Sequence, residues 1–192
     1  MILNGIIFIV TANYYALAAR FGEYRVMAGA VLAVLFLLGN GKPSLRDRKI
    51  PDRRLRICRQ GSDLLVLFCI STGGSVLYLL LEIQQLFTGE VKVWLLHLLN
   101  VFLVEAVVFW NGIIRVYLTS KQLALKWRLL GLICGFMPVV NLVVLYYIIR
   151  ITGYEAKLEG EKLLVNEERK GRRVCATKYP ILLVHGVFFR DF

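Results

Sequence analysis

The sequence is poor in the residues that build metal sites and disulfide frameworks. It has only two histidines and four cysteines in 192 residues. The cysteines are too scattered for the paired spacing of a zinc site or for a disulfide framework; they are Cys58, Cys69, Cys134 and Cys175. We therefore expect neither a metal nor a cofactor, and the cysteines indicate no particular redox compartment.

Charged residues are also scarce, and they are unevenly distributed. They make up 19% of the chain, against 58% hydrophobic residues, and the mean hydropathy is +0.64. An ordinary soluble domain is about 45–50% apolar. The charges fall in blocks between long apolar runs, and such segregation indicates a protein embedded in a bilayer.

The charge that is present is mostly positive, with a formal net charge of +11. In a soluble protein this excess would suggest a nucleic acid as partner. Here the densest basic run lies between two apolar stretches, where a cytoplasmic loop carries Lys and Arg. We therefore expect membrane lipids and not nucleic acid as partners. The run consists of Lys42, Arg46, Arg48, Lys49, Arg53, Arg54, Arg56 and Arg59.

Five apolar stretches can be compared with the roughly 20 residues that a spanning helix needs. They predict an all-α polytopic membrane domain over residues 1–150, with helices near 2–19, 26–38, 64–81, 93–114 and 129–149. The second stretch is short, so whether it spans stays open. The third contains a run of small residues, 71–75, that allows another helix to approach closely. Pro138, near the middle of the fifth, should bend that helix.

The distribution of Lys and Arg between the loops predicts an orientation. With a cytoplasmic N-terminus, the inside loops are 39–63 and 115–128, and both are basic. The outside loops hold only Arg20, Arg25 and Lys92. Five spans then place the C-terminal part on the extracytoplasmic side, and we expect the membrane to be a bacterial cell membrane. If the second stretch does not span, or if the first was misread, the C-terminal part would lie on the opposite side of the membrane.

Two polar residues inside apolar stretches are candidates for an intramembrane contact. Glu105 lies midway along the fourth stretch, where a charge costs about 2.5–3.5 kcal/mol, so it must be neutral, paired or facing water. Asn141 lies at a comparable depth in the fifth. We predict interhelical hydrogen bonding, with a proton or substrate path as the alternative. The chain has no inverted repeat and no matching pair of interrupted helices, so transport has no further support.

After Arg150 the composition changes, and residues 151–178 read as a charged juxtamembrane linker between two modules. Beyond it, Ile181–Val184 is a short apolar run bounded by Pro180 and Gly186. Such a run is typical of a buried parallel strand.

Residues 179–187, Tyr-Pro-Ile-Leu-Leu-Val-His-Gly-Val, resemble the first strand and turn of bacterial triacylglycerol lipases and related esterases of the α/β-hydrolase superfamily. The resemblance implies that residues 179–192 begin such a domain and that the substrate is a lipid or another acyl ester. It also implies that the backbone N–H of Val187, after His185 and Gly186, helps to form the oxyanion hole. His185 would shape the turn and would not be the catalytic base.

The chain departs from this family in lacking the catalytic residues. It has no Gly-x-Ser-x-Gly motif, no acid after such a serine and no later histidine. A first strand cannot fold without its neighbours, so we expect the sequence to be truncated at Phe192. Our first hypothesis is the membrane-anchoring N-terminal part of a lipase or esterase, itself catalytically incomplete. The alternative is a noncatalytic polytopic membrane protein acting in packing, assembly or transport, with a fortuitous His-Gly tail.

Overall fold

The computed structural model describes residues 1–43, 50–86, 91–133 and 138–172. Within these ranges 91% of the residues are helical and no strand is present, which confirms the all-α character predicted for the membrane domain. The predicted strand at 181–184 lies outside the described residues.

Three helical segments in the described ranges are long and apolar enough to cross a membrane: Phe21–Gly41, Arg53–Leu81 and Val91–Thr119. The first helix is apolar but shorter. The α-helices are α1 (Ile2–Ala12), α2 (Tyr14–Leu17), α3 (Arg25–Gly41), α4 (Arg53–Leu81), α5 (Val91–Thr119), α6 (Leu125–Ile133) and α7 (Pro138–Arg172), with 3₁₀ helices at Ala18–Tyr24 and Ile83–Leu86.

The first two predicted helices form an antiparallel hairpin, and local chemistry sets its two bends. At Asn13, the side-chain amide donates to the Ile9 carbonyl at 2.8 Å, competing with the helical ladder. Here α1 ends, short of the predicted residue 19. At Gly22, the backbone adopts φ 52°, a conformation that glycine tolerates best. The chain turns there and returns as α3.

The basic run is partly helical, which corrects the predicted loop at 39–63. Helix α4 begins at Arg53 because the Asp52 carboxylate caps it, accepting the backbone N–H of Arg54 at 2.7 Å. Likewise, α5 continues to Thr119, beyond the predicted 114. Hydropathy marks only the apolar part of a helix, whereas backbone hydrogen bonds continue into the charged turns.

Helices α4 and α5 form the centre of the bundle, and they approach each other closely at a pair of glycines. A Cβ atom on Gly61 would lie 3.0 Å from the carbonyl oxygen of Gly112, and one on Gly112 would lie 3.3 Å from the carbonyl oxygen of Gly61. The predicted small-residue run also packs, since a Cβ on Gly74 would meet the Ile9 side chain of α1 at 3.1 Å. Small residues at such crossings are typical of helices in membranes.

Apolar side chains fill the spaces between helices and also cover the outside. The largest buried cluster joins α4, α5 and α7 through Leu65, Phe109, Ile113, Val116, Val144, Leu145 and Ile148, with Leu123 beside it. A second joins α1, α3, α4 and α5 through Phe8, Phe36, Leu64, Leu67 and Val108. Outward-facing apolar residues such as Leu37, Leu77 and Phe102 are 65%, 62% and 67% exposed, which suits contact with lipid chains.

The bundle has two chemically different ends. We call the end where α3 and α5 finish and α4 begins the basic end. The opposite end, where α1 and α4 finish and α5 begins, is called the far end. Hydrogen bonds at the basic end join Asn4 to Pro43, Arg115 to Gly41 and Arg54 to Thr119. Those at the far end join Asn13, Glu82 and His97.

In its described residues, the fifth apolar stretch contributes no candidate membrane-spanning helix, which differs from the five predicted spans. Helix α6 starts at the basic end, where its Arg128 carbonyl accepts from Tyr117 of α5 at 2.9 Å. Helix α7 returns to the same end, because Glu155 accepts from the backbone of Lys121 at 3.0 Å. Segment 125–155 therefore enters and leaves at the basic end.

Helix α7 also changes the predicted position of the linker. The structure describes it from Pro138 onward, and the bend expected at Pro138 stays a prediction. The helix then continues to Arg172 through most of the predicted linker 151–178. Thr152, Glu155 and Ala156 are fully buried against the bundle, so the first turns after Arg150 belong to the packed structure.

Candidate functional site

Glu105 is buried in the middle of α5, where it faces hydroxyl groups of α4. Its Oε1 accepts a hydrogen bond from Ser71 at 2.6 Å, and its Oε2 accepts one from Thr72 at 3.1 Å. The hydroxyl of Ser75 also faces this carboxyl group. Glu105 is the only acidic residue of the fourth apolar stretch. Its interhelical hydrogen bonds thus come from the polar residues of the small-residue run 71–75.

Asn141, the second residue singled out in the sequence, is placed elsewhere. It lies near the start of α7 and is 5% exposed. Its Oδ1 atom has no hydrogen-bond partner among the described residues. The structure therefore does not join Asn141 to Glu105 in one site.

A second buried polar group lies at the far end and centres on His97 of α5. The ring of His97 is fully buried. Its Nε2 is 3.0 Å from Oδ1 of Asn13, and its Nδ1 is 2.9 Å from Oε2 of Glu82. Tyr78 of α4 packs edge-on against the ring, with 5.7 Å between ring centroids. Three separate segments of the chain thus meet at one imidazole.

Ser75 connects the His97 group with Glu105. The side-chain amide of Asn13 donates to the Ser75 hydroxyl at 3.1 Å, and this hydroxyl also faces Glu105. We call the connected set the polar row: Glu82, His97, Asn13, Ser75 and Glu105. It runs from the far end to the middle of the bundle.

Apolar packing closes the polar row on its inner side. The next buried side chains of α5 toward the basic end are Val108 and Phe109, and they pack with Leu64 and Leu65 of α4. The row therefore has one end near the surface and one end enclosed.

Arg115 organises the basic end by satisfying the end of α3. It donates to the carbonyls of Asn40 and Gly41, each at 3.2 Å, and to the side chain of Asn111 at 2.9 Å. A guanidinium on the last carbonyls of a helix satisfies acceptors that the helix leaves open and complements its dipole.

Glu155 holds the return of α7 to the basic end. Its two oxygens accept from Arg54 at 2.8 Å, Ser120 at 2.5 Å, and the backbone N–H groups of Lys121 at 3.0 Å and Gln122 at 3.3 Å. Arg54 also donates to Glu159 at 2.5 Å. Burial alone raises the pKa of Glu155, but the hydrogen bonds from these groups outweigh it, and the pKa lies below its ordinary value. Glu155 is therefore a buried carboxylate with a complete set of donors.

The residues of the predicted oxyanion-hole turn, His185, Gly186 and Val187, lie outside the described residues. Their role therefore stays a prediction. In the part of the chain that the structure describes, no three or more His, Cys, Asp and Glu side chains form a group that could hold a metal ion.

Glu105 was predicted from the sequence as a polar contact residue, whereas His97 and its partners Asn13 and Glu82 were not. Glu155 was predicted to lie in a linker. The available signal was a polar residue within an apolar stretch, for Asn13 and His97, or next to one, for Glu82. Only tertiary packing shows which of these residues meet.

No protein-family model matches this chain, and comparisons with curated proteins and with solved structures find no match either. Its function must therefore be inferred from its own residues.

Proposed function

We propose that this chain is the membrane-anchoring module of a lipase-like serine hydrolase that acts on lipid or other acyl esters. The observation that carries the proposal is the sequence Tyr179 to Val187, with its apolar run and His-Gly turn. The apolar helices and their exposed apolar faces support the anchoring part. An anchored hydrolase would meet its lipid substrate at the membrane surface.

In this proposal the hydrolase domain lies on the cytoplasmic side, because α7 leaves the bundle at the basic end. Exposed Lys42, Arg53, Lys121 and Lys126 lie at that end, and Lys and Arg favour the cytoplasmic side. Trp127 and Tyr147 stack there at 4.8 Å, as aromatic residues do at a membrane interface. This replaces the extracytoplasmic location expected from five spans.

The side of the membrane can be tested by thiol labelling. Cys175 follows α7, and a variant carrying Cys58→Ala, Cys69→Ala and Cys134→Ala would keep it as the only thiol. An impermeant maleimide should label Cys175 only after the cytoplasmic face is made accessible. Labelling in intact cells would contradict the proposed side.

The hydrolase proposal requires a nucleophile, an acid and a base from sequence that follows Phe192, since these 192 residues contain no Gly-x-Ser-x-Gly motif with an acid and a histidine after it. Its sharpest test concerns Val187 in the full-length product. Val187→Pro removes the backbone N–H, whereas Val187→Ala retains it. Loss of one oxyanion donor lowers kcat by about 10²–10³. We expect that loss for Val187→Pro alone in the hydrolysis of short-chain and long-chain acyl esters. Absence of ester hydrolysis in the unsubstituted product would refute the proposal.

A second candidate function is a noncatalytic membrane protein, and the polar row is the observation that favours it. A simple anchor needs no chain of buried polar groups from its surface to its centre, because each one costs free energy in an apolar environment. Loss of an uptake activity in Glu105→Gln, with stability unchanged, would support this candidate.

A further inference from the structure

The orientation of the Asn13 amide fixes one proton of His97. The Nδ2 atom of Asn13 donates to the Ile9 carbonyl at 2.8 Å. A backbone carbonyl can only accept, so this atom must be the NH₂ group. The oxygen of the amide therefore faces Nε2 of His97 at 3.0 Å, and Nε2 must carry a hydrogen.

The contact on the other side of the ring requires a second proton. Nδ1 of His97 lies 2.9 Å from Oε2 of Glu82. A histidine whose Nε2 is protonated and whose ring is neutral has a bare, accepting Nδ1, and an ionised carboxylate also only accepts. Two acceptors do not hold this distance without a hydrogen between them. The pair therefore shares one proton, either on the ring or on the carboxyl group.

The surroundings give this proton one route to water. The His97 side chain is 1% exposed, whereas that of Glu82 is 18% exposed and lies at the far end. The titratable groups beside the ring are Tyr78 of α4 and Glu82, which directly follows α4. The α1–α2 junction contributes Asn13, which does not titrate. Within α5, Lys92 lies at the exposed start of the helix, and Glu105 is reached through Asn13 and Ser75. Toward the basic end, Val108 and Phe109 separate the row from water.

We propose that Glu82 and His97 form a proton-binding site that exchanges with the medium at the far end of the bundle. In the proton-bound state the pair is neutral overall. Release passes the proton through Glu82 to water and leaves the pair with one negative charge, with a bare Nδ1 facing a carboxylate. That contact then opens, which loosens the tie between the end of α4, α5 and the α1–α2 junction. The site stands whether or not a hydrolase domain follows.

The test uses ¹⁵N-histidine NMR of the full chain inserted with one orientation into lipid vesicles. His185→Gln leaves His97 as the only histidine. The pH is changed on one side of the membrane at a time. We expect the Nδ1 signal to shift when the pH rises at the far end, and to stay unchanged when it rises at the basic end.

A matched pair of variants assigns this response to Glu82. Glu82→Gln supplies an amide that can donate to Nδ1, so the shared proton is no longer needed, and the far-end response should be lost. Glu23→Gln removes another carboxylate near the far end, an exposed one, and should retain it. A response that follows the basic end, a signal that does not move on either side, or an unchanged response in Glu82→Gln would overturn the proposal.

Discussion

Glu155 offers the most direct test of how the bundle is held together. Replacing it with alanine removes the acceptor for Arg54, the Ser120 hydroxyl and two backbone N–H groups at once. Breaking a buried ion pair from one side costs about 3–5 kcal/mol. Arg54 is 25% exposed and keeps Glu159 as a partner, so water and Glu159 offset part of this cost. We expect Glu155→Ala to lower the free energy of unfolding by about 3 kcal/mol.

The assay combines denaturant unfolding of the full chain in detergent with thiol labelling at Cys58. This cysteine is fully buried, and its Sγ lies 4.0 Å from the Thr152 carbonyl of α7. In a variant whose other cysteines are replaced by serine, its reaction with maleimide reports separation of α7 from α4. Glu155→Ala should accelerate that reaction as well as lower stability.

Glu161→Ala is the matched control, because Glu161 is an exposed carboxylate on the same helix. A surface substitution of this kind should change the free energy of unfolding by no more than about 0.5 kcal/mol. If Glu155→Ala behaves like Glu161→Ala in both assays, Glu155 does not hold α7 at the basic end as described.

Three further predictions concern other contacts. Stability should fall in acid, because the pKa of Glu155 is lowered in the folded state. Its carboxylate stabilises the fold above the ordinary pKa of 4.5, and this contribution is lost as the pH falls through the lowered value. Acid unfolding of the parent and of Glu155→Gln checks this, and equal acid sensitivity of the two would contradict it. Gly61→Ala should destabilise the fold by about 1–3 kcal/mol through overpacking against α5, as measured by thermal unfolding. Gly73→Ala is the control, because a Cβ at Gly73 meets nothing within 4 Å, and it should be neutral or slightly stabilising. Glu105→Ala should lower the free energy of unfolding in detergent by about 1–2 kcal/mol, because it removes interhelical hydrogen bonds. Glu105→Gln should lower it less. A larger loss of stability in Glu105→Gln than in Glu105→Ala would contradict a hydrogen-bonding role.

Much of the helical bundle could be predicted from the sequence. The apolar stretches at 26–38, 64–81 and 93–114 each lie within a helix that can cross a membrane. The break at Gly22 and the packing at Gly74 were also predictable, because glycine signals both a turn and a close approach. These features depend on composition and on residues close in sequence.

The candidate sites were predictable only in part. Glu105 attracts attention because a carboxyl group in an apolar stretch needs a partner, but the sequence does not say that Ser71 and Thr72 supply it. His97, Asn13 and Glu82 are separated by long stretches of chain, and Glu155 lies in a segment with the composition of a linker. The local sequence does not show which of these residues become partners.

The sequence by itself determined that this protein is helical and strongly apolar, because hydropathy and helix formation follow from residue type and near neighbours. Only the tertiary structure decided that the start of α6 and Glu155 of α7 both lie at the basic end. Hydropathy does not show at which end of the bundle a helix finishes, because this depends on partners such as the hydrogen-bond donors around Glu155. The tertiary structure likewise decided which buried polar groups form hydrogen bonds with each other, since each must find a partner that the chain supplies from another segment.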